Sequence, residues 1–461
     1  MSQKSIVVTQ PKKTKEQLSM FPSLVTTRSQ QVVLPTLIVS NTRDRLSQLL
    51  SGDLNFHNTE SRYASHNFHA FAAKFPPQLP RLFIEGLTTP GEVVLDPMMG
   101  SGTTIVEAFL AGRRAVGFDI DPLAIKICHV KVTPLNTEPI HITSAKLLSQ
   151  ATRLVDSARV QRELTKRFDE PTKKFIDYWF LPSTQRELLA LALSIETVGE
   201  PELRRFFELC FSSIIITKSG GVSMARDLAH SRPHFDKTKK PKNALEQYNQ
   251  RMKKSLKSLA EIAKGTGQTA IQVGDARHLA LADDSVDLIV TSPPYANAID
   301  YMRAHKFSLV WFGMDINRLS ELRSTYIGSE RAANAQYAAI PEYAEQITQE
   351  LVTKDASKAA ILRKYFVEMQ EAMREMYRVL RPGSAIIIVV GTSTMRGIDV
   401  QTHRSLADIG VGIGFDVVGV VARQLDRNRR MMPARFGKKS DSMIEQRMHD
   451  EYVIGLVKPG T

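Results

Sequence analysis

The stretch EVVLDPMMGSGTTIVEAFLAGRRAVGFDID, residues 92–121, decides the fold class of this 461-residue chain. Its first five residues predict a strand, TTIVEAFLAG predicts a helix that ends at Gly112, and RAVGFDID predicts a second strand. A helix between two strands indicates a βαβ unit, in which the strands are parallel. The stretch therefore predicts a parallel sheet with helices on its faces.

Later segments continue this alternation. A long helix is predicted over 356–379. Further strands are predicted at AIQVGD (270–275), VDLIV (286–290), GSAIIIVVG (383–391), FDVVGVVARQL (415–425) and EYVIGLV (451–457). Strands that alternate with helices predict an α/β fold, a doubly wound and mostly parallel sheet.

The pattern divides the chain into four parts. Residues 1–45 are predicted to be a flexible basic arm, and 46–130 the first part of the core. Residues 131–269 are far too many for a loop and are mostly helical by pattern, so they predict an inserted subdomain. Residues 270–461 form the second part of the core.

Composition narrows the class of protein. The net charge of +13 favours a polyanionic partner such as nucleic acid. No run of about 18 apolar residues predicts a membrane segment. Cys128 and Cys210 lie far apart with no metal-ligand spacing around them, so we expect neither a disulfide framework nor a metal site. A reducing cytoplasm fits this cysteine usage.

Gly100 and Gly102 come directly after the first strand and before the helix. Glycines there let the backbone approach a ligand closely, and the free amides of the helix N-terminus can face an anion. Asp119 ends the second strand, where an acid accepts hydrogen bonds from a ribose diol in nucleotide-binding doubly wound folds. The third glycine of the dinucleotide pattern is absent and no G-K-[ST] follows, which disfavours an NAD site and excludes a Walker-type phosphate site.

The strand at 286–290 ends in TSPPY, residues 291–295. Two consecutive prolines cannot donate to a sheet ladder, so the chain must leave the sheet there as a stiff, extended loop. A surface turn would explain this stretch on its own. The glycine-containing stretch upstream favours a functional loop instead.

DPMMGSGTT together with TSPPY resembles the S-adenosylmethionine-dependent amino-methyltransferases of DNA, which methylate exocyclic nitrogens. Their cofactor motif reads D-P-F-x-G-S-G-T-T and their catalytic motif [SDN]-P-P-[YFW]; Met98 replaces the usual Phe here. HAFAAKFPPQLPRLFIEGL (69–87) looks like the segment that such enzymes place over the methionine end of the cofactor. The resemblance covers 66–130 and 270–460, and it implies a class I methyltransferase fold with seven strands, the last antiparallel.

The resemblance also implies a cofactor site and a catalytic loop. The implied ligand is S-adenosyl-L-methionine, with Asp275 near the adenine. The cofactor-binding residues would be Lys74, Phe75, Pro76, Asp96, Pro97, Met98, Gly100, Ser101, Gly102, Thr103, Asp119, Ile120, Asp275 and Ala276. The catalytic residues would be Ser292, Pro293, Pro294 and Tyr295.

The chemistry of an exocyclic amine explains the catalytic motif. The amine is a poor nucleophile because its lone pair is delocalised into the ring. If Ser292 Oγ and the Pro293 carbonyl accept its N–H bonds, rigid acceptors stabilise the nitrogen as it attacks the methyl group. Tyr295 would offer a face for a base extruded from the duplex. By the resemblance, Ser at position 292 points to cytosine N4; adenine N6, an RNA substrate and a non-catalytic nucleic-acid binder are the alternatives.

Basic segments suggest where DNA would bind. Within 231–260 there are nine basic and two acidic residues, a pattern that fits phosphate contacts and also a solvated helix face. Double-stranded DNA is the expected partner, with a cognate restriction endonuclease as a possible second one, in the bacterial cytoplasm near the nucleoid. The candidate DNA-binding residues are Arg226, Arg232, Lys237, Lys239, Lys240, Arg303, Arg427 and Arg430.

Overall fold

The structure, a computed structural model, describes residues 41–460 apart from 58, 73, 218, 220, 229–232, 297–299, 330–338, 392 and 426–449. Its strands are β1 (Val93–Asp96), β2 (Arg114–Asp119), β3 (Ala225–Arg226), β4 (His234–Phe235), β5 (Gln268–Val273), β6 (Val286–Thr291), β7 (Leu380–Gly391), β8 (Thr394–Met395), β9 (Ile398–Asp399), β10 (Asp416–Gln424) and β11 (Asp450–Val457).

Helices connect these strands and cover the main sheet. They are α1 (Thr42–Leu50), α2 (Gln78–Leu87), α3 (Thr103–Leu110), α4 (Pro122–Val132), α5 (Thr137–Leu154), α6 (Ala158–Lys166), α7 (Glu170–Trp179), α8 (Pro182–Glu196), α9 (Pro201–Ile215), α10 (Ala244–Ile262), α11 (Met302–Leu309), α12 (Ile316–Ser324), α13 (Glu342–Val352), α14 (Ala356–Val379) and α15 (Thr402–Ile413), with a 3-10 turn at Val310–Phe312.

Seven strands form the main sheet, in the order β10-β11-β7-β6-β1-β2-β5. Neighbouring strands are parallel except at β11, which is antiparallel to both β7 and β10. The predicted α/β fold with one antiparallel last strand is therefore confirmed. The chain runs outward from β1 in both directions, so a topological switch point lies between β1 and β6, where such sheets bind ligands beyond the carboxyl ends of their strands.

Alternate residues of a strand face opposite sides of the sheet, and at the central strands β1 and β6 both sides are mostly buried. Leu288 and Val290 of β6 pack in the core that includes α1 to α4, whereas Ile289 between them packs in the core built on α13 to α15. The central strands accordingly read as continuous apolar runs. This is why their positions were predictable from the sequence.

The predicted insertion is helical. Six helices, α5 to α10, and the β3–β4 hairpin lie between α4 and β5. Residues 188–195 of α8 are all buried, which makes this helix the centre of the insertion core. The strand after the insertion begins at Gln268, two residues before the predicted start.

The predicted N-terminal arm extends too far. Residues 1–40 lie outside the described part of the chain, but residues 42–45 form the first turn of α1, where the Asn41 side chain accepts a hydrogen bond from the Asp44 amide, 2.8 Å. Leu46, Leu49 and Leu50 of this helix are buried. The arm predicted for 1–45 was therefore wrong over its last residues, because an amphipathic helix begins there.

Over the described ranges, every helix is too short or too polar to pass through a bilayer. In the same part of the chain, no three His, Cys, Asp or Glu side chains are grouped in a way that could hold a metal ion.

Gly102 provides a test of how tightly α3 packs on α4. It precedes α3 with a φ of 74°, and a Cβ there would overlap the sulfur of Cys128. Gly91 is a matched control, since its φ is 87° but a Cβ would meet open space. Both Gly→Ala changes carry the left-handed backbone cost, and overpacking should make Gly102→Ala destabilising by a further ~1–3 kcal/mol. Urea denaturation followed by circular dichroism measures this difference; equal losses in the two variants would contradict it.

Candidate active site

A cleft of about 1210 Å³, part of it open solvent, lies at the carboxyl ends of the central strands. It brings together most of the residues that the sequence singled out. Those that line it are Lys74, Phe75, Asp96, Pro97, Met98, Gly100, Ser101, Thr103, Asp119, Ile120, Asp275, Ala276, Ser292 and Pro294. Residues 97–102, here called the glycine loop, and residues 292–295, here called the catalytic loop, thus share one cavity, although their roles stay predictions.

Four predicted site residues do not line this cleft. Pro76 and Pro293 are buried beside it, and Gly102 is the residue before α3. Tyr295, which we expected to present a ring face to an extruded base, is 7% exposed and its hydroxyl donates to Glu451 Oε1, 2.9 Å. Burial and the Glu451 carboxylate raise the pKa of Tyr295 well above its usual value.

The glycine loop is shaped by backbone hydrogen bonds. The Gly100 amide donates to Asp119 Oδ2, 2.8 Å, and the Gly102 amide donates to the Met99 carbonyl, 2.7 Å. Gly100 and Gly102 both have positive φ, a conformation that residues with a side chain rarely adopt. The first amides of α3 have no partner within the helix, and Thr103 lines the cleft, so these amides can face an anion there.

Asp119 keeps acceptor capacity for a ligand. Its Oδ2 accepts from Gly100 and its Oδ1 accepts from the Asp121 amide, 2.8 Å, so each oxygen has used one of its lone-pair directions. Desolvation, with a further contribution from the Asp121 charge, raises the pKa of Asp119 to about 6. The remaining lone pairs suit a ligand that donates two hydroxyl hydrogens.

Two threonines tie the catalytic loop to the glycine loop. Thr291, the residue before Ser292, donates its hydroxyl to Asp96 Oδ1, 2.7 Å, and both side chains are buried. Thr104 of α3 donates to the Val290 carbonyl, 3.1 Å. Burial raises the pKa of Asp96 to about 7 despite these hydrogen bonds. Two hydrogen bonds therefore link the two loops.

Asp275 forms an ion pair with the neighbouring Arg277 side chain. Arg277 Nε lies 2.9 Å from Asp275 Oδ1, and its Nη2 lies 2.6 Å from Oδ2. Burial alone would raise the pKa of Asp275, but the hydrogen bonds from Arg277 outweigh it and hold that pKa below its usual value. The carboxylate stays ionised at the rim where we expected an adenine contact.

Lys74 is held by the segment that precedes it. Its Nζ donates to the His66 carbonyl, 2.9 Å, and His66 Nε2 pairs with Glu107 Oε1 of α3, 2.6 Å. The Tyr63 hydroxyl donates to the same glutamate oxygen, 2.9 Å. Burial keeps the pKa of His66 well below its usual value, so the imidazole is neutral at physiological pH. These contacts position Lys74 and Phe75 at the cleft.

Sequence reasoning missed a wall of the cleft. Residues 325–329, in the turn after α12, line it together with Asp121. The Tyr326 hydroxyl donates to Asp121 Oδ2, 2.9 Å, and His305 Nδ1 lies 2.7 Å from the same oxygen. Asp121 could have been suspected as the second acid of GFDID. Nothing in the sequence marks Tyr326, because only the tertiary fold brings it there.

Lys131, a second residue that the sequence did not single out, hydrogen-bonds to the glycine loop. The Lys131 amine, fully buried at the end of α4, donates to the Ser101 carbonyl, 2.6 Å. Burial and the charge of Lys74 lower the pKa of Lys131 to about 7. In the sequence, only its position on the apolar face of a helix could have marked this lysine as a functional residue.

Phe71 and Tyr301, stacked with ring centroids 5.0 Å apart, also line the cleft.

The candidate DNA-binding residues are in different environments. Lys237 and Lys240 are exposed after the β3–β4 hairpin, whereas the Lys239 amine donates to the Ala225 carbonyl, 2.8 Å. Arg226 pairs with Asp236, 3.3 Å, and Arg303 with Asp300, 2.9 Å. Lys239 thus closes the hairpin. Three further candidates, Arg232, Arg427 and Arg430, lie outside the described residues.

The raised pKa of Asp96 predicts a pH dependence of stability. Between the usual aspartate value and about 7, the folded chain binds a proton at Asp96 and the unfolded chain does not, so the free energy of unfolding falls as pH rises. Asp96→Asn cannot titrate. Relative to the wild type, this variant should gain ~2 kcal/mol between pH 5.5 and pH 7.5. Urea denaturation at both pH values measures this, and a difference that does not change with pH would contradict it.

Comparisons with known proteins agree with this geometry. A family model described as DNA methylase matches residues 9–129. The Type II methyltransferase M.MvaI of Kocuria varians is 25% identical over 400 residues, 79% of this chain and 86% of the relative. The Type II methyltransferase M.AvaI of Nostoc sp. is 25% identical over 369 residues, 71% of this chain and 73% of the relative.

A solved structure of a SAM-dependent methyltransferase from Methanosarcina mazei matches with a TM-score of 0.30 and 10% identity, over 82% of this chain and 98% of that one. That score is too low to support an argument, and the fold assignment depends on the strand order itself. The family match and the long alignments confirm the resemblance read from the two motifs. By these matches, this chain is similar to the S-adenosylmethionine-dependent amino-methyltransferases of DNA.

Proposed function

We propose that this chain transfers a methyl group from S-adenosylmethionine to the exocyclic N4 amine of cytosine in double-stranded DNA. The observation that carries this proposal is the shared cleft. Ser292 and Pro294 line the same cavity as the glycine loop, and Thr291 is hydrogen-bonded to Asp96 at the start of that loop. A methyl donor and an amine acceptor could therefore meet there without rearrangement of the sheet.

The residues present fit the cofactor. Asp119 has two lone pairs free for the ribose hydroxyls, and the amides before α3 with Lys74 suit the carboxylate of the methionine end. Ala276 and the wall at 325–329 would enclose the adenine. Ser292 and Pro294 line the same cleft, and the target base would lie against them beside the cofactor. When bound, the cofactor supplies a methyl group on a sulfonium.

The chain's own residues would activate the amine. Ser292 Oγ and the Pro293 carbonyl accept hydrogen bonds from the two N–H groups of the amine. The nitrogen lone pair then turns out of conjugation with the ring. The nitrogen would bond to the methyl carbon that the cofactor supplies, and the electron pair of the broken carbon–sulfur bond would stay on sulfur. The nitrogen then releases one proton to water at the open mouth of the cleft. Because the loop is held through Thr291, the acceptors need little reorganisation during this step.

The choice of base depends on Ser292. By resemblance, serine at this position favours cytosine N4 over adenine N6. The same cleft could accept either amine, since both are planar groups attached to an aromatic ring. The base is therefore the part of the proposal that the first experiment must decide.

The insertion is the proposed DNA-recognition subdomain. It carries the basic run of 231–260, in which Lys237 and Lys240 are exposed and able to contact phosphates. Since the curated relatives are named Type II methyltransferases, we also propose that a cognate restriction endonuclease accompanies this chain in the cytoplasm of a bacterium.

Nucleoside analysis tests the reaction. Unmethylated bacterial genomic DNA is incubated with the protein and S-adenosylmethionine, digested and analysed by mass spectrometry. We expect N4-methyldeoxycytidine from the wild type and a rate lower by about 100-fold from Ser292→Ala, which lacks one preorganised acceptor. Ser384→Ala, near the start of β7 and away from the cleft, should match the wild type.

The other outcomes are equally informative. N6-methyldeoxyadenosine would keep the mechanism and overturn the choice of cytosine. Methylation of RNA alone would overturn the DNA substrate. Binding of DNA with no methylated base and no cofactor binding would point to a non-catalytic nucleic-acid binder.

The wall at 325–329 gives a second test. Tyr326→Ala removes a ring that lines the cleft, so we expect binding of S-adenosylmethionine to weaken about tenfold, equivalent to ~1.4 kcal/mol. Tyr178→Ala is the matched control, because that side chain is 58% exposed and outside the cleft. Isothermal titration calorimetry measures both. Affinity within twofold of the wild type for Tyr326→Ala would remove the wall from the cofactor site.

A further inference from the structure

Tyr295, the last residue of the catalytic loop, is fastened by its hydroxyl. The hydroxyl donates to Glu451 Oε1, 2.9 Å, and the glutamate is only 4% exposed. The tyrosine ring is therefore not a freely rotating side chain at the mouth of the cleft. Its position depends on where the carboxylate is held.

Glu451 is held in turn by Arg423. The two residues are directly opposite each other in the antiparallel pair β10–β11, and the second oxygen of Glu451 pairs with Arg423 Nη1. Arg423 is 1% exposed, and its Nε and Nη2 donate to the carbonyls of Leu54, 2.9 Å, and Asn55, 3.4 Å. All three guanidinium nitrogens have acceptors, so this planar group is fixed and fixes the carboxylate.

The topology of the sheet explains how a residue of β11 reaches this loop. Because β11 is antiparallel to its neighbours, its first residues lie at the edge where the parallel strands end. Glu451 is opposite Gly391, the last residue of β7. The catalytic loop leaves the end of β6, next to β7, at the same edge.

The Tyr295 hydroxyl ties the far end of the catalytic loop to the sheet. Pro293 and Pro294 have no amide hydrogen to donate. At the near end, Thr291 is bound to Asp96, and at the far end Tyr295 is bound to Glu451. If the far end were released, Ser292 Oγ and the Pro293 carbonyl could shift, and displacements of about 1 Å can cost on the order of 100-fold in rate.

We propose that Glu451, supported by Arg423, is a positioning residue for methyl transfer: it anchors the Tyr295 hydroxyl and so sets the place of the catalytic loop in the cleft. This inference rests on the proposed function for its catalytic consequence. Well-packed apolar residues often stabilise a core as well as a buried ion pair does, so stability alone gives no reason for a charged pair here. The need for a rigid anchor at Tyr295 does give a reason for the charged pair.

A double-mutant cycle tests the anchor. Tyr295→Phe removes only the hydroxyl, and Glu451→Gln keeps the side-chain shape. Each should lower kcat about tenfold, and the double variant should be no slower than the slower single variant, because both changes remove the same contact. The KM for S-adenosylmethionine should stay within twofold, since neither residue lines the cleft.

Tyr248→Phe is the matched control. Its buried hydroxyl donates to the Phe207 carbonyl, 3.3 Å, inside the insertion, so the change removes a buried tyrosine hydrogen bond far from the catalytic loop. Its amide exchange over residues 286–296 should equal that of the wild type. Effects of Tyr295→Phe and Glu451→Gln that multiply in the double variant, or a kcat for Tyr295→Phe within twofold of the wild type, would overturn the proposal.

Hydrogen–deuterium exchange gives a readout that needs no methyl transfer. Amides of residues 286–296 should exchange faster in Tyr295→Phe and in Glu451→Gln, and at the wild-type rate in Tyr248→Phe. If Glu451→Gln fails to fold, Tyr295→Phe still tests the anchor, because it leaves the Arg423–Glu451 pair intact. Unchanged exchange in Tyr295→Phe would overturn the anchor. A wild type that methylates no base would overturn the proposed function separately, with the exchange result still deciding on the anchor.

Discussion

The hydrogen bond between Thr291 and Asp96 joins two parts of the chain that are 195 positions apart. It is possible because β1 and β6 are neighbours in the sheet, with Val94 opposite Leu288. Each strand ends in one of the two functional loops, so the register of this pair sets the distance between them. Both side chains are buried, where water does not compete for the bond. In the proposed reaction, this contact keeps the two loops close enough for the cofactor and the target base to react.

The acids of the cleft show how environment separates similar groups. Asp119 is desolvated beside the charge of Asp121, and its pKa is raised. Burial would raise the pKa of Asp121 too, but His305 and Tyr326 donate to it and hold that pKa below its usual value. Two carboxylates two positions apart therefore behave differently. Asp119 keeps lone pairs for a ligand, while Asp121 holds Tyr326 in the wall at 325–329.

Two of the candidate DNA-binding cations already have partners within the protein. The Lys239 amine is used to close the β3–β4 hairpin, and Arg226 pairs with an aspartate of the same hairpin. Lys237 and Lys240 remain exposed. A run of basic residues indicates the sign of a surface, but neighbouring carbonyls and carboxylates decide which of its members can contact phosphate.

The sequence by itself determined the fold and the location of the cleft. Apolar runs of strand length marked the central strands, because a sheet buried on both faces needs apolar residues throughout. Gly100 and Gly102 marked one loop, because residues with a side chain rarely adopt their positive φ, and Pro293 and Pro294 marked the other, because proline cannot donate to a sheet ladder. Both features depend on residues close together in the chain, so the sequence alone is enough to predict them.

Only the tertiary structure decided which side chains meet. Lys131 under the glycine loop, Tyr326 in the cleft wall and Glu451 behind Tyr295 each come from segments with no motif of their own. Tyr295 was predicted as an open stacking face, and the structure buries it against a carboxylate from the antiparallel last strand. Contacts of this kind depend on strand order and on the packing of insertions. Those relations join residues up to a few hundred positions apart, and the spacing of residues along the chain does not encode them.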